Sequence, residues 1–136
     1  PRSTPLYSSA ASDVYKRQVK EFLEESIKIS KTAGILLDQI AIDPGIGFGK
    51  NQKHNLEILN KLEMFKGLGK PILIGVSRKS FIGNILKLPP EGRLEGSLAA
   101  SVIGVTKGVS IVRTHDIKET RNAIKVAEAI IKGENL

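Results

Sequence analysis

Three strand-like runs, residues 39–42, 71–76 and 109–113, alternate with stretches of helical periodicity, and this alternation restricts the fold more than any other feature. Strands joined through crossover helices lie parallel in one sheet. The first helix is predicted from Val19, Phe22, Leu23, Ser26, Ile27 and Ser30, with Gly34 as its stop. A second spans 52–66, with Leu56, Leu59, Leu62 and Phe65 facing inward. A short helix at 80–86 precedes Pro89-Pro90, and a helix rich in small residues covers 94–106. The last, 117–131, is expected to bury Ile117, Ile124, Ala127 and Ile131. Three strands are few for a free-standing domain, and a (β/α)8 barrel takes about 250 residues. The reading is therefore α/β, the C-terminal portion of a (β/α)8 barrel: one helix, then three βα units with parallel strands. A small open three-layer sheet is the alternative.

Composition removes several classes of function. The 136 residues contain no cysteine, which excludes a disulfide framework and thiolate metal sites. Two histidines, His54 and His115, are too few for a histidine-rich metal cluster. No apolar run approaches the length of a membrane span. Trp is absent and aromatics are sparse, against a stacking platform for single-stranded nucleic acid. The net charge of +7 favours anionic ligands or nucleic acid. Its basic residues are scattered, as on a solvated surface.

Residues 1–18 differ in character from the rest. They show little periodicity and lack the apolar core of a secretory signal. Asp13-Val14-Tyr15-Lys16-Arg17-Gln18 is the in-frame translation of GATGTGTATAAGAGACAG, a string that resembles the transposase mosaic end of sequencing libraries. The expectation is a non-native, disordered segment at 1–18, followed by a partial barrel domain at 19–136.

Ligands of parallel α/β folds sit beyond the C-terminal ends of the strands. The first strand ends in Asp43-Pro44-Gly45-Ile46-Gly47-Phe48-Gly49-Lys50, whose three alternate glycines leave backbone bare for close approach. It is not a P-loop: Pro44 stands where the first Gly belongs and Asn51 where a hydroxyl is needed. Gly-x-Gly-x-Gly also differs from the dinucleotide fingerprint. A plain strand-to-helix turn is the simpler alternative. The second strand ends in Ser77-Arg78-Lys79-Ser80, where a helix N-terminus offers free N–H groups to an anion; alternatively Ser80 is an ordinary N-cap and Lys79 is solvated. The third ends in Arg113-Thr114-His115-Asp116. Alternation puts Arg113 and His115 on one side, about 6–7 Å apart, a spacing that spans two linked phosphates. Alternatively Arg113 pairs with a rim carboxylate, His115 caps the last helix and Asp116 is its N-cap.

Together these three segments, with Gly75-Val76 and Phe81-Ile82-Gly83 flanking the second, resemble the last three motifs of the dihydropteroate synthase family, in order and spacing. The similarity runs from about Val19 to the C-terminus; Ser97 stands where Thr is commoner. The resemblance implies a folate-pathway transferase with a TIM-barrel fold, the target of sulfonamides. Such an enzyme joins p-aminobenzoate to 6-hydroxymethyl-7,8-dihydropterin pyrophosphate and releases pyrophosphate. It implies that Asp43, Gly47, Phe48 and Lys79 contact the pterin, and that Ser80 and Arg78 take or border p-aminobenzoate. On the same resemblance Arg113 and His115 would bind pyrophosphate, and Lys79, Arg113 and His115 would form the catalytic set. Mg²⁺ acts through the pyrophosphate, with its protein ligand among strands outside this chain. A homodimeric parent, a cytoplasmic setting and small-molecule partners, without nucleic acid or membrane, are also implied. The chain alone, without the first five strands, is expected to be inactive. A pterin-binding methyltransferase domain and a basic nucleic-acid-binding module are the competing readings.

Overall fold

The computed structural model describes residues 5–133, with side-chain surroundings from residue 13 onward. Its elements are α1 (Pro5–Thr32), α2 (Gln52–Asn60), β1 (Ile72–Gly75), α3 (Ser80–Leu86), α4 (Leu94–Thr106), β2 (Val109–Arg113) and α5 (Ile117–Lys132), with short 3₁₀ turns at Leu37–Gln39, Leu62–Leu68 and Pro90–Gly92. Strands β1 and β2 pair in parallel, Ile74 opposite Val112 and Gly75 opposite Arg113. The α/β alternation thus stands, but the expected strand at 39–42 does not.

That strand is reduced to one parallel bridge, Ile42 opposite Ile72. Ile42 donates to the Pro71 carbonyl (2.9 Å) and accepts from the Leu73 N–H (2.8 Å). A parallel ladder continues through alternate residues. Toward the N-terminus the next bond needs an N–H at position 71, and toward the C-terminus an N–H at position 44. Both positions are proline and have no donor. The apolar run predicted a strand correctly in direction and place, and two prolines cut it to one residue.

Helix α1 ends where expected, with Gly34 at φ +95° and the Ile35 N–H reaching the Ser30 carbonyl. It begins much earlier, however. The segment expected to be disordered is helical from Pro5, and residues 1–4 lie outside the described part. Tyr15 stacks on His54 of α2 with ring centroids 3.9 Å apart, and Lys16 bridges Asp13 (3.1 Å) and Glu57 (3.3 Å). Helical packing of these residues is independent of where their codons came from.

The core gathers Ile58 and Leu59 of α2, Leu62 and Phe65 of the following 3₁₀ turn, Ile72 and Ile74 of β1, and Phe81 and Ile82 of α3. The small residues of α4 let it lie close: a Cβ on Gly104 would stand 2.5 Å from the Ile74 Cδ1, and one on Gly96 2.3 Å from the Ile82 Cγ2. Three expected core positions are corrected. Leu56, Ile117 and Ile131 are exposed. Leu56 borders an apolar groove between α2, α3 and α4. Ile117 lines a cavity of about 890 Å³ between β2 and α5, together with Val112 and Ile124. No described helix is long and apolar enough to cross a membrane.

Candidate active site

The glycine loop is fastened from several directions. The Asp43 Oδ1 accepts the Gly45 N–H at 2.8 Å, an Asx turn directly after the bridge residue. Gly45, Gly47 and Gly49 all have positive φ, between +66° and +88°, which side chains adopt only with strain. Between them, Ile46 plunges into the core while Phe48 stays 67% exposed. Asn55, buried on α2, accepts the Gly47 N–H at 2.9 Å, and the Lys50 Nζ donates to the Gly45 carbonyl at 2.7 Å.

Beyond β1, Arg78 adopts φ +58°, a left-handed conformation unusual for a residue with a side chain. Two residues at the start of α4 hold it there. The Ser97 hydroxyl accepts the Arg78 N–H (2.8 Å), and the Arg93 guanidinium donates to the Arg78 carbonyl (2.8 Å). Lys79, not Ser80, occupies the N-cap position of α3, and it makes no side-chain cap. Instead the Lys79 Nζ donates to the Ile46 carbonyl and sits 4.4 Å from the centre of the Phe48 ring.

The loop after β2 completes the mouth. Arg113 lies flat across Gly75, where an added Cβ would stand 2.3 Å from the guanidinium, and its Nη1 is 3.7 Å from the Asp43 Oδ2. The rim pairing foreseen for Arg113 is therefore present, and its partner is the opening residue of the glycine loop. His115 does not cap α5; its Nδ1 lies 2.8 Å from the Ser77 Oγ. Asp116 does occupy the N-cap position of α5, yet its carboxylate grips Arg78 instead of the helix (2.8 and 3.3 Å).

All three strand-end clusters thus meet. Asp43 with Arg113 joins the first loop to the third, Lys79 joins the second to the first, and Ser77 with His115 and Arg78 with Asp116 join the second to the third. A cavity of about 190 Å³ lies among Gly75, Ser77, Lys79, Arg113, Thr114 and His115. Ser80 is exposed at the start of α3. Sequence reasoning did not single out Asn55 or Arg93, and it named Ser77 and Ser97 without their supporting roles; the partners of all four lie 8 to 38 residues away.

Burial and the neighbouring Arg113 guanidinium push the Lys79 ammonium below the usual lysine range, against the pull of Asp43. Burial does the same to Lys50. The hydrogen bond from Arg78 holds the Asp116 carboxyl below the usual carboxylate range. A carboxyl lowered in the folded state adds stability that is complete above its unfolded value and lost as pH falls through its folded value. Acid titration of Asp116→Asn, followed by circular dichroism, is therefore expected to show a shallower loss of stability with falling pH than the parent chain. The exposed pair is screened, so the difference shrinks in high salt.

The fold is α/β, with three strand-end loops converging on one mouth. Residues 2–115 match the family model described as pterin binding enzyme, and the chain belongs to that family. Its relatives are dihydropteroate synthases. The chain is 49% identical to that of Bacillus subtilis over 109 residues, covering 80% of this chain and 38% of the relative. With that of Escherichia coli K12 the identity is 43% over 117 residues, covering 86% and 42%. A Coxiella burnetii dihydropteroate synthase solved in complex with pteroic acid superposes with a TM-score of 0.87 at 47% identity, over 98% of this chain and 47% of that one. The Yersinia pestis enzyme in a sulfonamide drug complex gives 0.84 at 38% identity, over 87% and 43%. The chain therefore spans less than half the length of these relatives.

Proposed function

We propose that the chain forms the C-terminal part of a (β/α)8 dihydropteroate synthase barrel and carries that enzyme's pterin and pyrophosphate contacts. The observation supporting this most is the convergence of Asp43, Lys79, Arg113 and His115 on one mouth. One carboxylate beside bare backbone suits a flat ring with adjacent donors; three donor side chains beyond it suit an anion. Asp43 accepts from the pterin 2-amino group and ring N–H, a two-point match for a carboxylate. Gly47 and Phe48 line the slot. Lys79, already held over Phe48, donates to the pterin carbonyl oxygen.

Ser80 and the start of α3 take the p-aminobenzoate carboxylate, and Arg78 borders that site. Arg113 and His115 hold the pyrophosphate. The bond between the pterin methylene carbon and the pyrophosphate oxygen breaks with its electron pair leaving on pyrophosphate. The aniline nitrogen forms the new C–N bond and loses a proton. Arg113 and His115 stabilise the charge that grows on the leaving group, and the remaining work is positioning. Mg²⁺ would enter on the pyrophosphate oxygens, neutralising their charge.

The purified chain is expected to bind a pterin saturably, read by quenching of pterin fluorescence, and to bind pyrophosphate by calorimetry. It is expected to release no pyrophosphate when given both substrates with Mg²⁺, because the mouth is open and Phe48 is largely exposed to water. A coupled pyrophosphate assay checks this, and turnover would refute it. Absence of pterin binding overturns the functional reading. Pterin binding without pyrophosphate binding favours a methyltransferase domain, which handles no pyrophosphate. A steep, salt-dependent affinity for DNA favours the nucleic-acid module.

A further inference from the structure

We infer that Ser77 is a positioning residue that fixes His115 as its Nε2–H tautomer, so that the ring presents a hydrogen-bond donor of fixed direction to the anion. This rests on the proposed reading of Arg113 and His115 as the pyrophosphate site.

Ser77 sits just past the end of β1 and is 7% exposed. Its Oγ accepts the backbone N–H of His115 at 3.1 Å and lies 2.8 Å from the ring Nδ1. A hydroxyl has one proton and two lone pairs. If Nδ1 carried the ring proton, Ser77 would accept twice from the same residue, and its own proton would face no other acceptor among the described contacts. A buried donor left unpaired is costly. If Nδ1 is bare, the Ser77 hydroxyl donates to it while accepting the backbone N–H, and each of these polar atoms is satisfied.

The ring proton then resides on Nε2, on the opposite edge from Ser77 and without a hydrogen-bond partner among the described residues. His115 lines the 190 Å³ cavity with Arg113 and Lys79. An Nε2–H of fixed direction supplies the anion with a hydrogen bond beside those two cations. Two contacts to one residue, one to backbone and one to ring, also fix the ring's orientation.

The test is long-range ¹⁵N–¹H spectroscopy of the two imidazoles in the full 136-residue chain, with His54 as internal reference. The expected result is an Nε2–H pattern for His115 that becomes a tautomer mixture in Ser77→Ala and returns in Ser77→Thr. Pyrophosphate affinity is expected to fall about fivefold in Ser77→Ala, the size of one ordinary hydrogen bond, and to recover in Ser77→Thr. An Nδ1–H pattern in the parent chain, or an unchanged pattern in Ser77→Ala, overturns the inference. A changed tautomer with unchanged affinity overturns its role toward the anion. No pyrophosphate binding by the parent chain, with the Nε2–H pattern present, overturns instead the functional reading beneath it.

Discussion

Asp43→Asn is expected to weaken pterin binding about 100-fold while leaving the melting temperature nearly unchanged. The carboxylate is acceptor-only, whereas the amide turns one of its two positions into a donor. In the proposed pocket that donor would face a donor of the ring. Two charge-assisted bonds are replaced by one ordinary bond and one repulsive contact, a loss of about 3 kcal/mol. The fold is spared because an Asn Oδ1 still accepts the Gly45 N–H and closes the same turn. The pairing with Arg113 at 3.7 Å is long and exposed, and such pairs contribute little. Titration of pterin fluorescence, beside thermal melts of both proteins, separates the two effects. Equal pterin affinity in both would remove Asp43 from the site.

Phe65→Ala is expected to destabilise the chain by about 3–5 kcal/mol, the usual range for emptying a buried phenylalanine site. Phe65 is completely buried within the apolar core. A single domain carries only about 5–15 kcal/mol of stability, so this one change removes a large share. The melting temperature should drop by roughly 10–20 °C. Leu56→Ala is the informative contrast. The same periodicity nominated both residues, but Leu56 stays exposed and should cost much less. Urea denaturation of the two variants measures the difference directly.

Leu56 and Phe65 also mark the limit of what periodicity reveals. Spacing shows which residues share a helix face, and it identified Ile58's neighbours Leu59 and Leu62 as core. It does not show whether another element covers that face, and Ile117 and Ile131 of α5 are left uncovered. The placement of chemistry was more legible. Asp43, Lys79, Arg113 and His115, polar residues at the ends of apolar runs, come together because a parallel sheet delivers those ends to one side. The supports were hidden. Ser77, Asn55, Arg93 and Ser97 act through partners distant in sequence, which local pattern does not reveal even where, as for Ser77, the residue stands in a noted motif. Asp116 was visible as a helix-starting residue, yet competition from Arg78 took its carboxylate away from the helix.

The paired prolines at positions 44 and 71 have a consequence for how the molecule behaves in company. An open strand edge is a template on which another chain can dock and grow. At Ile42 the ladder to β1 closes after a single residue, so little regular strand remains there to serve as such a template. The outer edge of β2 has no such protection over Ser110–Val112, where Ile111 is exposed. Self-association through strand pairing should therefore start at β2, and a lysine at position 111 would be the change to suppress it.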